Sequence, residues 1–230
     1  MNSQLPRAQY KYLTMISMVY ITIMLAGNIL TYKFVHALGI TLIAGSLLTP
    51  LWFVIGDIVT EVYGYAAYRR LIWQALICSA LFTLLCLLLV ILPSPIDWHY
   101  QSHFDYILLK LPRILLSSVL GIFVGSFLNS YVISKWKILI HGKYFWIRSV
   151  GSSAMGELIF TVITMTTIML GEVSFSQMIQ FILISYLLKL TLSSILAAPS
   201  VLITRSLKHS EQVDVYDHNV NFNPFKVAEK

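Results

Sequence analysis

Two carboxylates and two guanidinium groups lie within residues 56–70, a stretch that separates two long apolar runs. Asp57 and Glu61 are four positions apart, so a helix places both carboxylates on one face, where like charges repel unless a cation or a proton joins them. Arg69 and Arg70 follow at the start of the next apolar run. The pattern predicts that the two acids bind or gate a solute. The alternative is a pair of carboxylates that water hydrates at a helix end.

Glu157 lies well inside another apolar run, about seven residues from its start. An ionisable group inside a membrane-spanning helix costs roughly 2.5–3.5 kcal/mol, so it is a functional candidate by default. Glu157 is therefore predicted to accept hydrogen bonds from a cationic or donor-rich solute, or to carry a proton. A structural ion pair with Lys189 or Arg148 is the alternative, and a ligand could also exchange for that pair.

Three further polar side chains interrupt the apolar runs. Lys189 lies near the middle of the last run, three residues after Tyr186 and on the same helical face, where its ammonium must meet a carboxylate, a carbonyl or water. A salt bridge that closes the helix bundle and a contact with a substrate both meet this need. Asn28 and Asn129 can either bind a solute or join two helices by hydrogen bonds.

Proline and glycine positions indicate how the helices pack. Pro50 predicts a kink or a break in the second apolar run, and a broken helix presents free backbone groups that would put Trp52 near a cavity. Gly121 and Gly125 have the spacing that lets two membrane helices approach closely, so their predicted role is packing.

The composition identifies an integral membrane protein. Of the 230 residues 57% are hydrophobic and 11% are charged, and the mean hydropathy is +0.76; a soluble domain averages about 25% charged residues. The sequence therefore predicts an all-α membrane protein, with a six-helix domain over residues 1–210 and a flexible cytoplasmic tail over residues 211–230. The six predicted spans are residues 12–35, 38–56, 71–92, 111–134, 150–170 and 178–203.

Basic residues favour one orientation of these spans. Twelve lysines and arginines fall on the side of the N-terminus, three fall on the other side, and Lys189 lies inside a span. Because positive residues concentrate on the cytoplasmic side, both termini of this multi-pass membrane protein are expected in the cytoplasm. The basic residues form no extended patch, so nucleic acid is not an expected partner.

Several function classes lack the residues that they need. None of the six histidines lies inside a predicted span, so an intramembrane serine protease would lack its general base, and no enzyme activity is expected. His99 and His103 share the longest loop but fall short of a metal site, and no cofactor is expected. The chain has no Walker motif for ATP hydrolysis. A proton or cation channel gated by Glu157 and Lys189 is an alternative, as is an accessory membrane subunit.

Four groups of residues, taken in chain order, match a known family. They are Asn28; Asp57-x-x-x-Glu61-x-Tyr63-Gly64 with Arg69-Arg70; Phe127-Leu128-Asn129-Ser130-Tyr131 with Lys135-x-Lys137; and Tyr186-x-x-Lys189 with Pro199. On these residues the chain resembles the queuosine precursor transporters, also called the putative vitamin uptake transporter family, over essentially its whole length. It departs from relatives that carry Gln-x-x-Asp in place of Ser126-x-x-Asn129 and an acid in place of Phe160; here the acid is Glu157.

The resemblance implies a six-helix inner-membrane importer, similar in architecture to the substrate-binding components of energy-coupling-factor importers. The implied substrates are 7-deazaguanine bases, such as the cyano and aminomethyl precursors of the tRNA nucleoside queuosine. An importer of a different vitamin-like heterocycle is the alternative. Membrane lipid is the other expected partner, and a homo-oligomer or a shared energising module stays open.

The chemistry of a deazaguanine suits the residues of this chain. A carboxylate such as Glu157 can accept the ring N–H and the exocyclic amine as a fork, while the amide N–H of Asn129 can donate to the neighbouring carbonyl. Trp52 or Tyr186 can stack on the flat ring. The predicted substrate-binding residues are Asn28, Trp52, Asp57, Glu61, Asn129, Glu157, Tyr186 and Lys189.

Overall fold

The structure, a computed structural model, describes residues 10–37 and 39–226. Within these residues six helices are long and apolar enough to cross a membrane, which confirms the predicted all-α membrane fold. A short helix and a two-stranded antiparallel hairpin accompany them. In chain order the elements are α1 (Leu13–Leu30), β1 (Phe34–Ala37), β2 (Ile40–Ile43), α2 (Ala44–Tyr63), α3 (Tyr65–Val90), α4 (Gln101–Leu108), α5 (Leu111–Leu139), α6 (Phe145–Met169) and α7 (Phe175–Glu211).

The helix of the second apolar run lies further along the chain than the predicted span. Strands β1 and β2 pair with each other, so residues 40–43 are extended and α2 begins only at Ala44. The helix ends at Gly64, whose φ of 84° turns the chain into α3. Asp57 and Glu61 therefore occupy the last two turns of α2, where they are 0% and 1% exposed. The alternative that water hydrates these carboxylates at a helix end is wrong.

Helix α2 continues through Pro50, so the predicted break does not occur. Because proline has no N–H, Pro50 cannot donate to the carbonyl oxygen of Ser46 one turn earlier. The Ser46 hydroxyl is also without a hydrogen-bond partner among the described residues, and Ser46 lines the same interior cavity as Trp52. Helix α2 thus continues past the proline, and a polar side chain of its first turn is free at the cavity.

Helix α2 forms the centre of the bundle. Of its membrane-spanning stretch 78% is buried, against 22% for α1 and for α7. It contacts α1, α3, α5, α6 and α7. Helix α3 instead exposes Leu81, Leu84, Leu85 and Leu88, as side chains that face lipid do. The polar side chains of α2 therefore lie in the protein interior, where polar side chains of other helices can bind them.

Helices α5 and α6 pack closely because glycines lie where they meet. A Cβ atom on Gly125 would lie 2.7 Å from the backbone oxygen of Gly156, and one on Gly121 would lie 2.6 Å from the side chain of Thr164. Real Cβ atoms do not come this close to other heavy atoms. The predicted packing role of Gly121 and Gly125 is confirmed.

Replacing Gly125 by valine is expected to lower the free energy of unfolding by at least about 1–3 kcal/mol, the usual cost of an overpacked contact. The obstacle here is backbone, which cannot rotate away. The matched control is Val124→Leu, since Val124 is exposed on the same helix. Thermal unfolding in detergent micelles measures both, and equal melting temperatures for the two variants would contradict the close contact.

The chain after α7 packs against the bundle. The carboxylate of Asp217 accepts hydrogen bonds from the backbone N–H of Tyr65 at 3.0 Å and from the Ser134 hydroxyl at 2.6 Å. The Trp73 indole N–H donates to the carbonyl of Pro224 at 2.8 Å. The prediction of a flexible tail is therefore wrong for residues 212–226, because a buried carboxylate there satisfies a free N–H in the first turn of α3. Residues 227–230 lie outside the described residues.

Candidate functional site

The carboxylate of Glu61 lies among buried cations near the end of the bundle that carries both ends of the described chain. Arg148 of α6 donates to it as a fork, with Nη1 2.7 Å from Oε2 and Nη2 3.1 Å from Oε1. Lys208 of α7 donates to Oε1 at 2.7 Å. Because Arg148 is 0% exposed, its charge is balanced almost entirely by this carboxylate. Glu61 therefore joins α2 to α6 and α7.

Lys137 and Asp214 complete this group. The Lys137 ammonium lies 2.6 Å from the backbone oxygen of Glu61 and 2.6 Å from Oδ1 of Asp214. Asp214 also pairs with Lys208 at 2.8 Å. We call Glu61, Lys137, Arg148, Lys208 and Asp214 the Glu61 cluster; its three cations and two carboxylates come from α2, α5, α6, α7 and the chain after α7.

Acid is expected to release residues 212–226 from the bundle through Asp214. Burial raises the pKa of Asp214, but the hydrogen bonds from Lys137 and Lys208 outweigh burial and hold the pKa below its ordinary value of 3.8. A pKa lowered by folding gives stability that is fully present above the unfolded pKa and is lost as the pH falls through the folded pKa. Protection of residues 212–226 from hydrogen exchange is therefore expected to fall once the pH drops below 3.8.

The matched control is Asp214→Asn, which mimics the uncharged acid. This variant is expected to show weak protection of residues 212–226 at neutral pH and a smaller further loss in acid. If the wild-type protein keeps its protection throughout this pH range, Asp214 does not control the docking of the segment.

Asp57 lies one turn before Glu61 and has a separate set of donors. Its Oδ1 accepts from the Asn129 amide at 2.6 Å, and its Oδ2 accepts from Ser149 at 2.5 Å and from Ser153 at 3.1 Å. Since Glu61 takes the cations and Asp57 takes neutral donors, the two acids do not share one ligand. The Asn129 amide must point its N–H at Asp57, because a carboxylate only accepts. Its free atom is then Oδ1, which has no partner among the described residues.

Glu157 lies deeper in the bundle, and only one of its two carboxylate oxygens accepts a hydrogen bond from the described residues. Its Oε1 accepts from the Ser193 hydroxyl at 2.5 Å, whereas its Oε2 is buried and has no partner among the described residues. Among those residues, no ion pair within 4.0 Å joins Glu157 to Lys189 or Arg148. The direct ion pair that was the alternative for Glu157 is therefore wrong.

Lys189 is a buried amine with spare hydrogen-bonding capacity. Its Nζ donates to the Thr161 hydroxyl at 3.0 Å and lies 5.1 Å from the centre of the Phe160 ring. An ammonium has three donors, and Thr161 is the only hydrogen-bond acceptor for Lys189 in the part of the chain that the structure describes. Two N–H groups are thus available to a carbonyl or to water.

A narrow cavity between α1, α2, α5, α6 and α7 reaches Lys189, whereas Glu157 is not among the residues that line it. Trp52, Phe160 and Lys189 are among the residues that line it, and the two rings meet edge to face with their centres 5.8 Å apart. The indole N–H of Trp52 is buried without a partner among the described residues. The volume open to the centre of a water molecule is about 30 Å³, so a bicyclic base would enter only if these side chains moved apart.

Asn28 and Tyr186 occupy different positions relative to the cavity. Asn28 lines it, but its amide already donates to Ser79 at 2.9 Å and accepts from Ser118 at 3.3 Å, so it joins α1 to α3 and α5. Tyr186 is not among the lining residues, and its hydroxyl donates to the backbone oxygen of Ala154 at 3.2 Å. Both hydrogen-bonding patterns are those of residues that hold helices together.

The serines that bind the two deep acids do not stand out in the sequence as the acids do. Ser149, Ser153 and Glu157 are spaced four apart on α6, so they form one stripe toward the interior, and this spacing was the available signal. Ser193 follows Lys189 at the same spacing on α7. Taken together, the interior offers a carboxylate oxygen, an indole N–H and an ammonium beside aromatic rings. These groups can bind a flat, polar solute that carries both donors and acceptors.

Comparisons with known proteins agree with this chemistry. The model of the family described as "Putative vitamin uptake transporter" matches residues 43–204, which include most of the described helices. A "Probable queuosine precursor transporter" from Bacillus subtilis (strain 168) is 28% identical over 173 residues, which are 74% of each chain. No solved structure matches the chain significantly. The resemblance on the sequence motifs is confirmed, and the chain belongs to the putative vitamin uptake transporter family, as a multi-pass membrane protein.

Proposed function

We propose that this protein imports queuosine precursors, the cyano and aminomethyl forms of 7-deazaguanine, through the cytoplasmic membrane for modification of tRNA. Membership of the family supports a transporter, and the name of the Bacillus subtilis relative supports this class of substrate. The distribution of basic residues supports an orientation with both termini in the cytoplasm.

The unpaired carboxylate oxygen of Glu157 is the observation that carries the proposal. A buried acceptor without a partner is costly, and a donor from a ligand would remove that cost. A deazaguanine offers a ring N–H and an exocyclic amine side by side, and a carboxylate accepts such a pair as a fork. The cation of the aminomethyl form would be favoured by the same charge.

The other contacts with the base can be assigned to side chains that still have unused hydrogen-bond donors. Lys189 has two spare N–H groups to donate to the carbonyl of the base, whereas one of the two N–H groups of Asn129 already donates to Asp57. We therefore assign to Lys189 the role that the sequence suggested for Asn129. Trp52 and Phe160 enclose the flat ring. Asp57, Glu61, Asn28 and Tyr186 hold the helices that form the site.

The narrowness of the cavity corresponds to a closed transporter. With only about 30 Å³ open, the cavity is too small to hold the base in this conformation. Import then requires the helices around Trp52 and Phe160 to separate on one side and then on the other, as alternating access demands.

Binding to the purified protein tests this proposal. A ligand that binds only the folded state raises stability by about 2.7 kcal/mol at a concentration of 100 times Kd. Both deazaguanines are expected to raise the melting temperature, and adenine, which lacks the carbonyl and the adjacent ring N–H, is expected to have little effect. Equal stabilisation by adenine, or none by either deazaguanine, would contradict the proposed site.

A different vitamin-like heterocycle is the second candidate, because the description of the matching family specifies vitamins in general. Such a solute would still need donors for Glu157 and an acceptor for Lys189. The same melting assay with a panel of vitamins distinguishes the two, since the true substrate gives the larger increase at equal concentration.

A further inference from the structure

A second pocket lies at the end of the bundle that holds the Glu61 cluster, away from the cavity that Trp52 and Lys189 line. It is formed by the turn between α5 and α6 and by the last turns of α7. The volume open to the centre of a water molecule is about 510 Å³, enough for a sizeable ligand. Its lining includes Lys143, Trp146, Thr204, Arg205 and Lys208, with Glu61 at its inner side.

The pocket has an excess of positive charge. Lys143 and Arg205 are exposed, and neither side chain has an ion pair or a hydrogen bond in the part of the chain that the structure describes. Lys208 also reaches the pocket, but it is shared with Glu61. Because Glu61 is already paired with Arg148, its carboxylate does not neutralise the two free cations.

A buried hydroxyl in the same pocket is unused. Thr204 is 3% exposed, and its Oγ1 has no hydrogen-bond partner among the described residues. A hydroxyl can donate to an anionic oxygen while the two cations supply opposite charge. Free cations and a free donor around one pocket are what a phosphate group requires.

Apolar and aromatic surface continues from the pocket. Among the lining residues Tyr144 and Trp146 are 63% and 54% exposed, and Val201 of α7 lines the pocket as well. Exposed indole rings are typical of the level at which lipid headgroups lie. A ligand with a phosphate in the pocket could thus lay acyl chains along α7.

We propose that this pocket binds the phosphate group of an anionic phospholipid. Basic pockets between membrane helices are the usual sites for such headgroups. Lys208 reaches this pocket and also binds Glu61, which holds α7 to α2. A bound phosphate would therefore interact with the Lys208 ammonium as well. The site is distinct from the substrate site, so its test does not depend on the transported solute.

The test measures how much phosphatidylglycerol stays bound to the purified protein, against phosphatidylcholine, by native mass spectrometry. Each basic residue near an anionic headgroup increases the affinity for that lipid. The double variant Lys143→Gln with Arg205→Gln is therefore expected to lower phosphatidylglycerol retention by about thirtyfold. The control, Arg70→Gln with Lys226→Gln, removes the same charge from outside the pocket and is expected to keep full retention.

Two results would overturn the proposal. One is equal retention of phosphatidylglycerol by the two double variants, which would show that binding depends on the net charge of the protein and not on this pocket. The other is release of the lipid by millimolar inorganic phosphate, which would make the ligand a soluble phosphate. Thr204→Val serves as a further check, because it keeps all charges and is expected to lower retention without a change in the melting temperature of lipid-free protein.

Discussion

Glu157→Gln is expected to weaken binding of a deazaguanine by about 10-fold to 100-fold while the protein still folds. A hydrogen bond to a charged group contributes roughly 1.5–3 kcal/mol, and each 1.4 kcal/mol is a factor of ten in affinity. Glutamine has nearly the same shape, and its carbonyl can still accept from Ser193. It replaces the unpaired carboxylate oxygen with an N–H₂ group, which faces the donors of the base.

The control for this experiment is Glu172→Gln. Glu172 is half exposed beyond the end of α6, where it pairs with Lys110 and Arg113. Exposed pairs of this kind contribute little to stability, so binding and melting temperature are expected to stay near the wild-type values. If Glu157→Gln binds the base as tightly as Glu172→Gln does, Glu157 is not the acceptor.

Glu61→Gln is expected to cause the largest loss of stability, about 3–5 kcal/mol. Removing one partner of a buried ion pair leaves the other charge in the interior without compensation. Here the stranded charge is that of Arg148, which is fully buried and held as a fork by Glu61. The measurement is the melting temperature of purified protein in micelles.

Asp214→Asn is the matched comparison, since Asp214 binds two of the same cations but its side chain is 42% exposed. Its loss of stability is expected to be much smaller because water can solvate the cations that it leaves. The double variant Glu61→Gln with Arg148→Met removes the stranded charge as well and is expected to recover part of the loss. Equal melting temperatures for Glu61→Gln and Asp214→Asn would contradict the account of this cluster.

The sequence predicted the class of fold because a bilayer constrains it so strongly. Apolar runs of about twenty residues can only be helices there, since no water is present to satisfy free backbone groups. The close contact at Gly121 and Gly125 was predictable as well, because this glycine spacing lets two membrane helices approach closely. The hairpin before Ala44 was not predictable, because its short apolar strands read as a continuation of the helices on either side.

The partners of the acids were much less predictable than the acids themselves. Asp57, Glu61 and Glu157 stand out as charges in apolar surroundings, and all three are buried. Their partners lie about 36 to 147 positions away in the chain, and only the fold brings them together. Hence the sequence suggested an ion pair of Glu157 with Lys189 or Arg148, whereas Arg148 binds Glu61.

The packing of residues 212–226 against the bundle was not predictable from the sequence for the same reason. The composition of this segment is polar, which is typical of a flexible end. However, Asp217 accepts a hydrogen bond from the first turn of α3, and Asp214 pairs with two lysines. Sequence periodicity carries no information on such contacts, because each depends on one side chain that meets one distant group.

Import of deazaguanine bases through the site of Glu157 can be tested in living cells. The most direct measurement uses bacteria that cannot make the precursors and lack their own importer, fed the cyano or the aminomethyl base, with queuosine in tRNA detected by its shift on a boronate gel. A shift is expected with wild-type protein and with Glu172→Gln, and a much weaker one with Glu157→Gln present in the membrane at the same level. No shift with wild-type protein of confirmed expression, or an undiminished shift with Glu157→Gln, would contradict it.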